Sequence, residues 1–361
     1  MGSPFTNPAD VERKTLMILR ILHEAGQSVG SRLISRKMLE RGLPSSERAV
    51  RYHLKLMDER GLTRLIGKRD GRIITDRGIE EIGRARVRDK VGLANSRIES
   101  LAFQTTFKPE TGRGLLPVNI SLLPEETFPE AVRIMEPVFE AGYAVSRRVA
   151  VAGPGQRLAG LLVPEGRVAM ATVCSIVVNG VLLKHGIPMD SKFGGILQVR
   201  NRNPLRFVEL IYYSGSSLDP SEVFIRGKMT SVRSVVAEGE GMLLANFREI
   251  PAACLPLMEQ QLAGLARAGI DGVLVKGEVS EPVCQTPVEV NRVGIVLIGG
   301  LNPVACVEEA GLDVDNRAMS AVMEFGDMEP FDQVLKRCRD WTGPGKKTAR
   351  RRAGEGSPGE K

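Results

Sequence analysis

The stretch "SSERAVRYHLKLMDERGLTRLIGKRDGRIITDRG", residues 45–78, decides how the front of this chain is read. It opens on Ser45 and Ser46, and a serine ahead of a helix accepts a hydrogen bond from a first-turn amide. Val50, Leu54 and Met57 then recur at helical spacing and predict one buried stripe. Arg48, Arg51, Tyr52 and Lys55 fall on the other side. Two short runs follow, "LTRLI" and "RIITDRG", with Leu62, Leu65 and Ile73 alternating. They are joined by "GKRDG", which predicts a hairpin with a charged tip. His53 reads as a helix-packing residue.

Working outward, Val11, Leu16, Ile18, Leu19 and Leu22 predict a helix that Gly26 stops. "SRLISRKMLERG" predicts a second one, ended by Gly42. Three helices, the last rich in arginine, followed by a hairpin make a winged helix-turn-helix over residues 9–78. A helix of this kind fits the major groove of a duplex. Ser46, Arg48, Arg51, Tyr52 and Lys55 are therefore expected at double-stranded DNA, and Lys68, Arg69 and Arg72 of the wing at phosphates. The competing reading is a winged helix that docks protein. After the wing, "GIEEIGRARVRDKVGLANSRIESLAF" reads as a connector helix over 79–105. Val91, Ala94, Ile98 and Leu101 form its apolar row, which either pairs two subunits or packs on its own chain.

The 361 residues carry a net charge of +7, unevenly spread. Residues 1–90 hold 20 Lys/Arg against 12 Asp/Glu, and residues 336–361 hold 9 against 3. The middle is therefore acidic, at −7. Basic ends on an acidic middle suit a polyanion-binding module joined to a domain with another task. Residues 342–361 are rich in Gly, Pro, Lys and Arg and read as a disordered basic tail, which adds non-specific DNA affinity or does nothing. Five scattered cysteines and three separated histidines give no metal-ligand spacing, so no metal and no cofactor are expected. Odd, dispersed thiols suit a reducing cytoplasm. No stretch reads as a membrane span, and the N-terminus lacks the layout of an export signal.

The rest of the chain repeats itself. "GLLPVNISLLP" at 114–124 matches "GMLLANFREIP" at 241–251, aligning Asn119 with Asn246. A periodic helix follows each, ending at Gly142 and Gly269. "RVAMATVCSIVVNGVLLKHGIPMD" at 167–190 matches "RVGIVLIGGLNPVACVEEAGLDVD" at 292–315. Each half thus reads β-α-β-β-α-β, the ferredoxin-like order. The fold class is α+β: a winged helix, then an internally duplicated α/β sandwich over 106–335. Its halves span about 110–200 and 238–326, and the segment 200–237 between them is unmatched. A duplicated pair makes a cleft where small ligands sit.

No Ser/His/Asp or Cys/His grouping stands out, so an enzyme is not expected. Cys174 reads as core and His185 as a helix cap. Anion binding has more support. "IVLIGGLNP" is a strand, then Gly299 and Gly300, then a helix start, a layout for an anion loop or a plain tight turn. Arg206, Arg226, Arg233 and Arg248 fall in or beside the unmatched segment and the Asn246 turn, and arginine suits carboxylates. The candidate effector residues are Arg206, Arg233, Asn246, Arg248, Gly299 and Gly300.

"FGGILQV", "SLDPSEVFI", "KMTSV", "LANFREIP" and "NRVGIVLIGGLNPVA" resemble the regulatory domain of the NrpR-type nitrogen-regulatory repressors, and the winged helix in front fits that family. The resemblance covers about residues 10–330. It implies a repressor of nitrogen-assimilation genes that leaves its operator when 2-oxoglutarate, the allosteric effector, binds the regulatory domain. Some members carry two regulatory domains, whereas this chain holds one. A connector helix that pairs two subunits would suit a palindromic operator, and a homodimer is expected. The alternatives are a winged-helix regulator sensing a different small anion, an enzyme acting on a small acid, and a protein-interaction module.

Overall fold

Local signals in the first 84 residues translate directly into structure. The computed structural model describes residues 8–67, 71–84 and 92–339. Helices α1 (Pro8–Ala25), α2 (Ser31–Glu40) and α3 (Glu47–Glu59) pack around Ile18, Leu22, Ile34, Met38, Val50 and Leu54. Ser46 caps α3, its Oγ accepting from the Ala49 amide at 3.2 Å. Strands β1 (Thr63–Gly67) and β2 (Gly71–Ile74) form the wing, pairing antiparallel with Thr63 opposite Ile74. The return strand is shorter than its sequence pattern, because α4 (Asp76–Arg84) begins at Asp76.

The connector is not one helix. Helix α5 (Leu93–Gln104) starts afresh after Gly92, whose φ of 76° lies in the left-handed region. Residues 85–91, Val91 included, lie outside the described residues. Ala94, Ile98, Leu101 and Ala102 are buried in the chain's own core, so this apolar row is spent within the subunit.

The first half of the duplicated domain runs through β3 (Leu115–Pro124), α6 (Phe128–Glu140), β4 (Arg148–Ala152), a small hairpin of β5 (Arg157–Leu158) and β6 (Leu161–Leu162), β7 (Arg167–Val173), α7 (Ile176–Lys184) and β8 (Asp190–Arg200). The unmatched segment supplies β9 (Asn203–Tyr212), α8 (Pro220–Arg226) and α9 (Val232–Glu238). The second half runs through β10 (Gly241–Pro251), α10 (Leu255–Arg267), β11 (Val273–Val279), β12 (Arg292–Ile298), α11 (Asn302–Glu309) and β13 (Asp315–Glu324). Strand β14 (Glu329–Pro330) and α12 (Phe331–Arg339) complete it. Helix-ending glycines at matched positions, Gly142 with Gly269 and Gly186 with Gly311, all have positive φ. The repeat therefore extends to the caps.

Each half has the ferredoxin-like element order, but the two do not close separately. The sheets run β13-β3-β7-β4-β14 and β11-β12-β10-β8-β9, antiparallel throughout. The fourth strand of each half, β8 or β13, lies beside the first strand of the other half, β10 or β3. One core joins α6, α9, α11 and α12 with the buried face of α5. The other joins α7 and α10 with β3, β7 and β12. This exchange brings β3 and β10 to the centre, with Asn119 and Asn246 buried there.

Candidate functional site

Two surfaces carry chemistry. On the winged helix, α3 turns Arg48, Arg51, Tyr52 and Lys55 outward, and Tyr52 is 61% exposed. Arg51 pairs with Glu47 at 3.0 Å and Lys55 with Glu59 at 4.0 Å, each one helical turn away. Exposed pairs of this spacing are weak, so both cations remain available to a stronger anion. Arg72 departs from the sequence expectation. Its Nε donates to Asp58 Oδ2 at 2.6 Å, bracing the wing against α3 rather than facing phosphate. Lys68 and Arg69 lie outside the described residues. His53 is buried with its ring edge-on to Tyr52, as a packing residue should be.

The second surface is a cavity to which both halves of the duplication contribute matched residues. It is lined by Asn119 of β3, Asn246 and Arg248 of β10, Ser175 and Ile176 at the start of α7, and Gly300 and Leu301 at the start of α11. Tyr213 and Asp219 of the unmatched segment and the Ala318–Met319 turn of β13 complete the wall. The glycines are there for close approach. A Cβ on Gly300 would stand 2.6 Å from Asn119 Nδ2, and one on Gly299 would stand 2.5 Å from Leu244 Cβ. Both helices aim their N-termini, the positive end of the helix dipole, at the cavity.

Arg248 is the outlier. Its side chain is 1% exposed, and its Nε and Nη1 have no hydrogen-bond partner. The guanidinium stacks 4.7 Å above the Tyr213 ring. A buried cation of this kind is costly unless something anionic meets it. The cavity's neutral groups are already placed: Asn246 accepts from the Tyr213 hydroxyl and donates to Ser175 Oγ at 3.2 Å, while Asn119 Oδ1 accepts from the Met319 amide at 3.0 Å. Burial raises the Asp219 carboxyl, opposed by the Ser221 and Glu222 amides that it caps. Burial also pushes the Cys174 thiol up to about 12, so it stays protonated. The enclosed space is about 20 Å³, against roughly 300–1,000 Å³ for ordinary ligand pockets.

Of the residues expected at an effector, Asn246, Arg248 and Gly300 line this cavity and Gly299 backs it. Arg206 and Arg233 do not reach it. Arg206 lies on β9 and donates to Gln198 at 2.9 Å. Arg233 is exposed at the start of α9, its amide donating to Glu309. Sequence reasoning missed Asn119, Ser175, Tyr213 and Asp219 as lining residues. The repeat offered a signal for the first two, since Asn119 aligns with Asn246 and Ser175 with Gly300.

Elsewhere, the carboxylates of Asp190, Glu249 and Glu289 cluster tightly. Lys192 Nζ sits among them, 2.8 Å from Asp190 and 3.4 Å from Glu249, and bonds Glu289 as well. Burial lowers the Lys192 ammonium's pKa, but its hydrogen bonds to Asp190 and Glu289 outweigh that and raise it. Lys192 and Arg292 both pair with these three carboxylates, so the chain's own cations offset most of the cluster's charge. Among the described residues no helix is long and apolar enough to cross a membrane.

A winged helix joined to an internally duplicated α/β domain is the architecture of a winged-helix transcription regulator. The comparisons with known proteins narrow this. The model of NrpR regulatory domains NRD1 and 2 matches residues 91–330, and that of the Ribonuclease R winged-helix domain matches residues 16–82. The global nitrogen regulator NrpRI of Methanosarcina mazei is 38% identical over 319 residues, which cover 88% of this chain and 98% of that protein. The global nitrogen regulator NrpR of Methanocaldococcus jannaschii is 32% identical over 92% of this chain but 57% of its own length, so the chain spans just over half of that relative. The crystal structure of a nitrogen repressor-like protein from Methanococcus jannaschii superposes with a TM-score of 0.56 at 25% identity, covering 67% of this chain and 99% of that one. The chain belongs to the NrpR family of nitrogen regulators.

Proposed function

We propose that the chain represses nitrogen-assimilation genes as a homodimer in the cytoplasm and leaves its operator when 2-oxoglutarate binds between the halves of its sensor domain. The observation that carries this reading is Arg248, a buried guanidinium with two unmet donors at the centre of the duplication. A carboxylate is the natural partner for such a group. Two helix N-termini and the Asn119 and Asn246 amides supply further polar contacts for the rest of a small dicarboxylate. The walls must part to admit it, because about 20 Å³ holds roughly one water. Binding is thereby tied to a change of shape, and a ligand shifts an equilibrium only by favouring one shape over the other.

The DNA-facing half of the reading rests on the exposed cations and Tyr52 of α3. A dimer sets two such helices about one helical turn of DNA apart, roughly 34–36 Å. An enzyme reading finds less support, since the cavity lining offers a protonated thiol and no histidine to act as its base. The second reading, sensing of another small anion, uses the same Arg248. Fluorescence anisotropy on the chain's own promoter DNA, at fixed salt, tests both. Release by 2-oxoglutarate and not by succinate or phosphate supports the main reading. Release by another anion alone selects the second, and tight binding indifferent to every anion removes the sensor assignment.

A further inference from the structure

The cavity and the winged helix are separated in sequence, and α5 is the element between them. Its first turns are fastened to both cavity walls. The Ala94 amide donates to the Ser216 carbonyl at 3.3 Å, close in sequence to Tyr213 and Asp219. Arg97, one turn on, donates from Nε to the Met319 carbonyl at 2.6 Å and from Nη2 to the Ser320 carbonyl at 3.4 Å. Met319 lines the cavity, and its amide is held by Asn119 Oδ1. Arg97 therefore grips the outer side of the same peptide turn whose inner side faces the ligand space.

That stretch of β13 departs from regular strand geometry. The pairing of β13 with β3 breaks between Arg317 and Ala321. Met319 itself has φ of 50°, a left-handed conformation that a side-chain-bearing residue adopts only under constraint. An anion that accepts from the Met319 amide competes with Asn119 Oδ1 for that hydrogen. On the other side, α5 is the next described element after α4, whose Ile82 packs against the winged-helix core. Burial raises the Glu24 carboxyl at the end of α1, but Arg41 first and Arg97 next outweigh it and hold it below its ordinary value.

We propose that Arg97 is the positioning residue that carries the state of the cavity to α5 and so to the winged helix. The proposal rests on the reading of the cavity as the effector site. Arg97 touches neither DNA nor ligand. Its role is to make movement of the Met319 turn move α5.

The test uses the full chain with its promoter DNA and 2-oxoglutarate. Three quantities are measured: effector affinity by calorimetry without DNA, DNA affinity without effector, and DNA affinity at saturating effector. Coupled sites of this kind typically differ about 5- to 150-fold between the last two. In Arg97→Ala both separate affinities stay within about 3-fold of the native chain, while the ratio between the two DNA affinities falls to near 1. Arg97→Lys keeps the charge and one donor, so it recovers part of the ratio; it also serves if the alanine variant fails to fold. A native ratio in Arg97→Ala overturns this proposal alone. Loss of effector binding in that variant also overturns it, because Arg97 then belongs to the binding site. A native chain that ignores 2-oxoglutarate removes the effector reading and this proposal together.

Discussion

Replacing Arg248 by methionine separates a ligand-binding arginine from a structural one. The two roles predict opposite signs for stability. As the chain stands, Nε and Nη1 of Arg248 are buried without partners. Each unmet donor costs about 1–3 kcal/mol. The stacking over Tyr213 returns on the order of 0.5–2 kcal/mol. The unmet donors outweigh the stacking, and methionine fills much of the same apolar volume. Replacing buried charged groups by apolar ones of similar volume is often neutral or stabilising by about 1–4 kcal/mol, and among the described residues no ion pair of Arg248 is lost here. At about 2–4 °C per kcal/mol for a domain of this size, Tm holds or rises by several degrees. Effector binding moves the other way. One charge-assisted hydrogen bond is worth about 1.5–3 kcal/mol, so affinity for 2-oxoglutarate falls about 10- to 150-fold. Thermal unfolding and calorimetric titration on the same preparation read both quantities. A Tm drop of 10 °C or more, with effector affinity retained, refutes the reasoning, because it marks Arg248 as half of a buried pair whose rupture costs about 3–5 kcal/mol.

Gly300→Ala forces a Cβ to within 2.7 Å of the Val173 carbonyl, which cannot swing aside; a loss of about 1–3 kcal/mol is expected, read as a lower denaturant midpoint at unchanged slope. The Glu222 carboxyl is pushed up to about 7, first by burial and then by the Asp219 charge. The folded chain therefore holds this proton more tightly than the unfolded one, so its contribution to stability is fully present below about 4.5 and is lost as pH rises through about 7. Glu222→Gln keeps an acceptor for the Ala318 amide, flattens unfolding free energy between pH 5 and 8, and raises it at pH 8. Arg51→Ala and Lys55→Ala give up exposed pairs worth about 0.3–0.5 kcal/mol, so stability scarcely changes, while each lowers the slope of log K against log salt on DNA by about 0.9. An unchanged slope in both variants places the DNA on another face.

What was legible in the sequence was local. Helix α3 could be read because its cap, apolar stripe and exposed cations all sit within a few turns of one another. The glycine caps could be matched between halves because a left-handed residue is encoded one position at a time. The exchange of β8 and β13 was not legible, because a chain that closes each half separately has the same order of strands and helices. Strand partners are chosen by packing over more than a hundred residues, and periodicity is blind to that. The same blindness explains the arginines. Arg206, Arg233 and Arg248 look alike in composition, yet Arg248 is sealed while the other two stay outside the cavity. A finer signal existed, since Asn246 and Arg248 are two apart on one strand and must share a face. The connector is not a single helix, because Gly92 takes a positive φ and a new helix starts after it.

The duplication also explains why this cavity is asymmetric. A pair of identical halves would set identical groups on both sides of it, as Asn119 and Asn246 still are. At the other matched positions the halves have diverged. Arg248 lines the cavity, whereas its counterpart Ser121 turns its hydroxyl to Asn316 at 2.8 Å. Ser175 begins one helix, while the bare backbone of Gly300 precedes the other. Segment 203–238 adds Tyr213 and Asp219 from one side alone. A symmetric site with an arginine from each half would bury two cations at close range and repel itself. With one cation, one acid and two helix ends, the cavity is instead an asymmetric cradle. On the proposed effector reading, such a cradle holds a ligand with two unlike ends in one orientation, with its pull on the Met319 segment and not on the pseudo-symmetric counterpart.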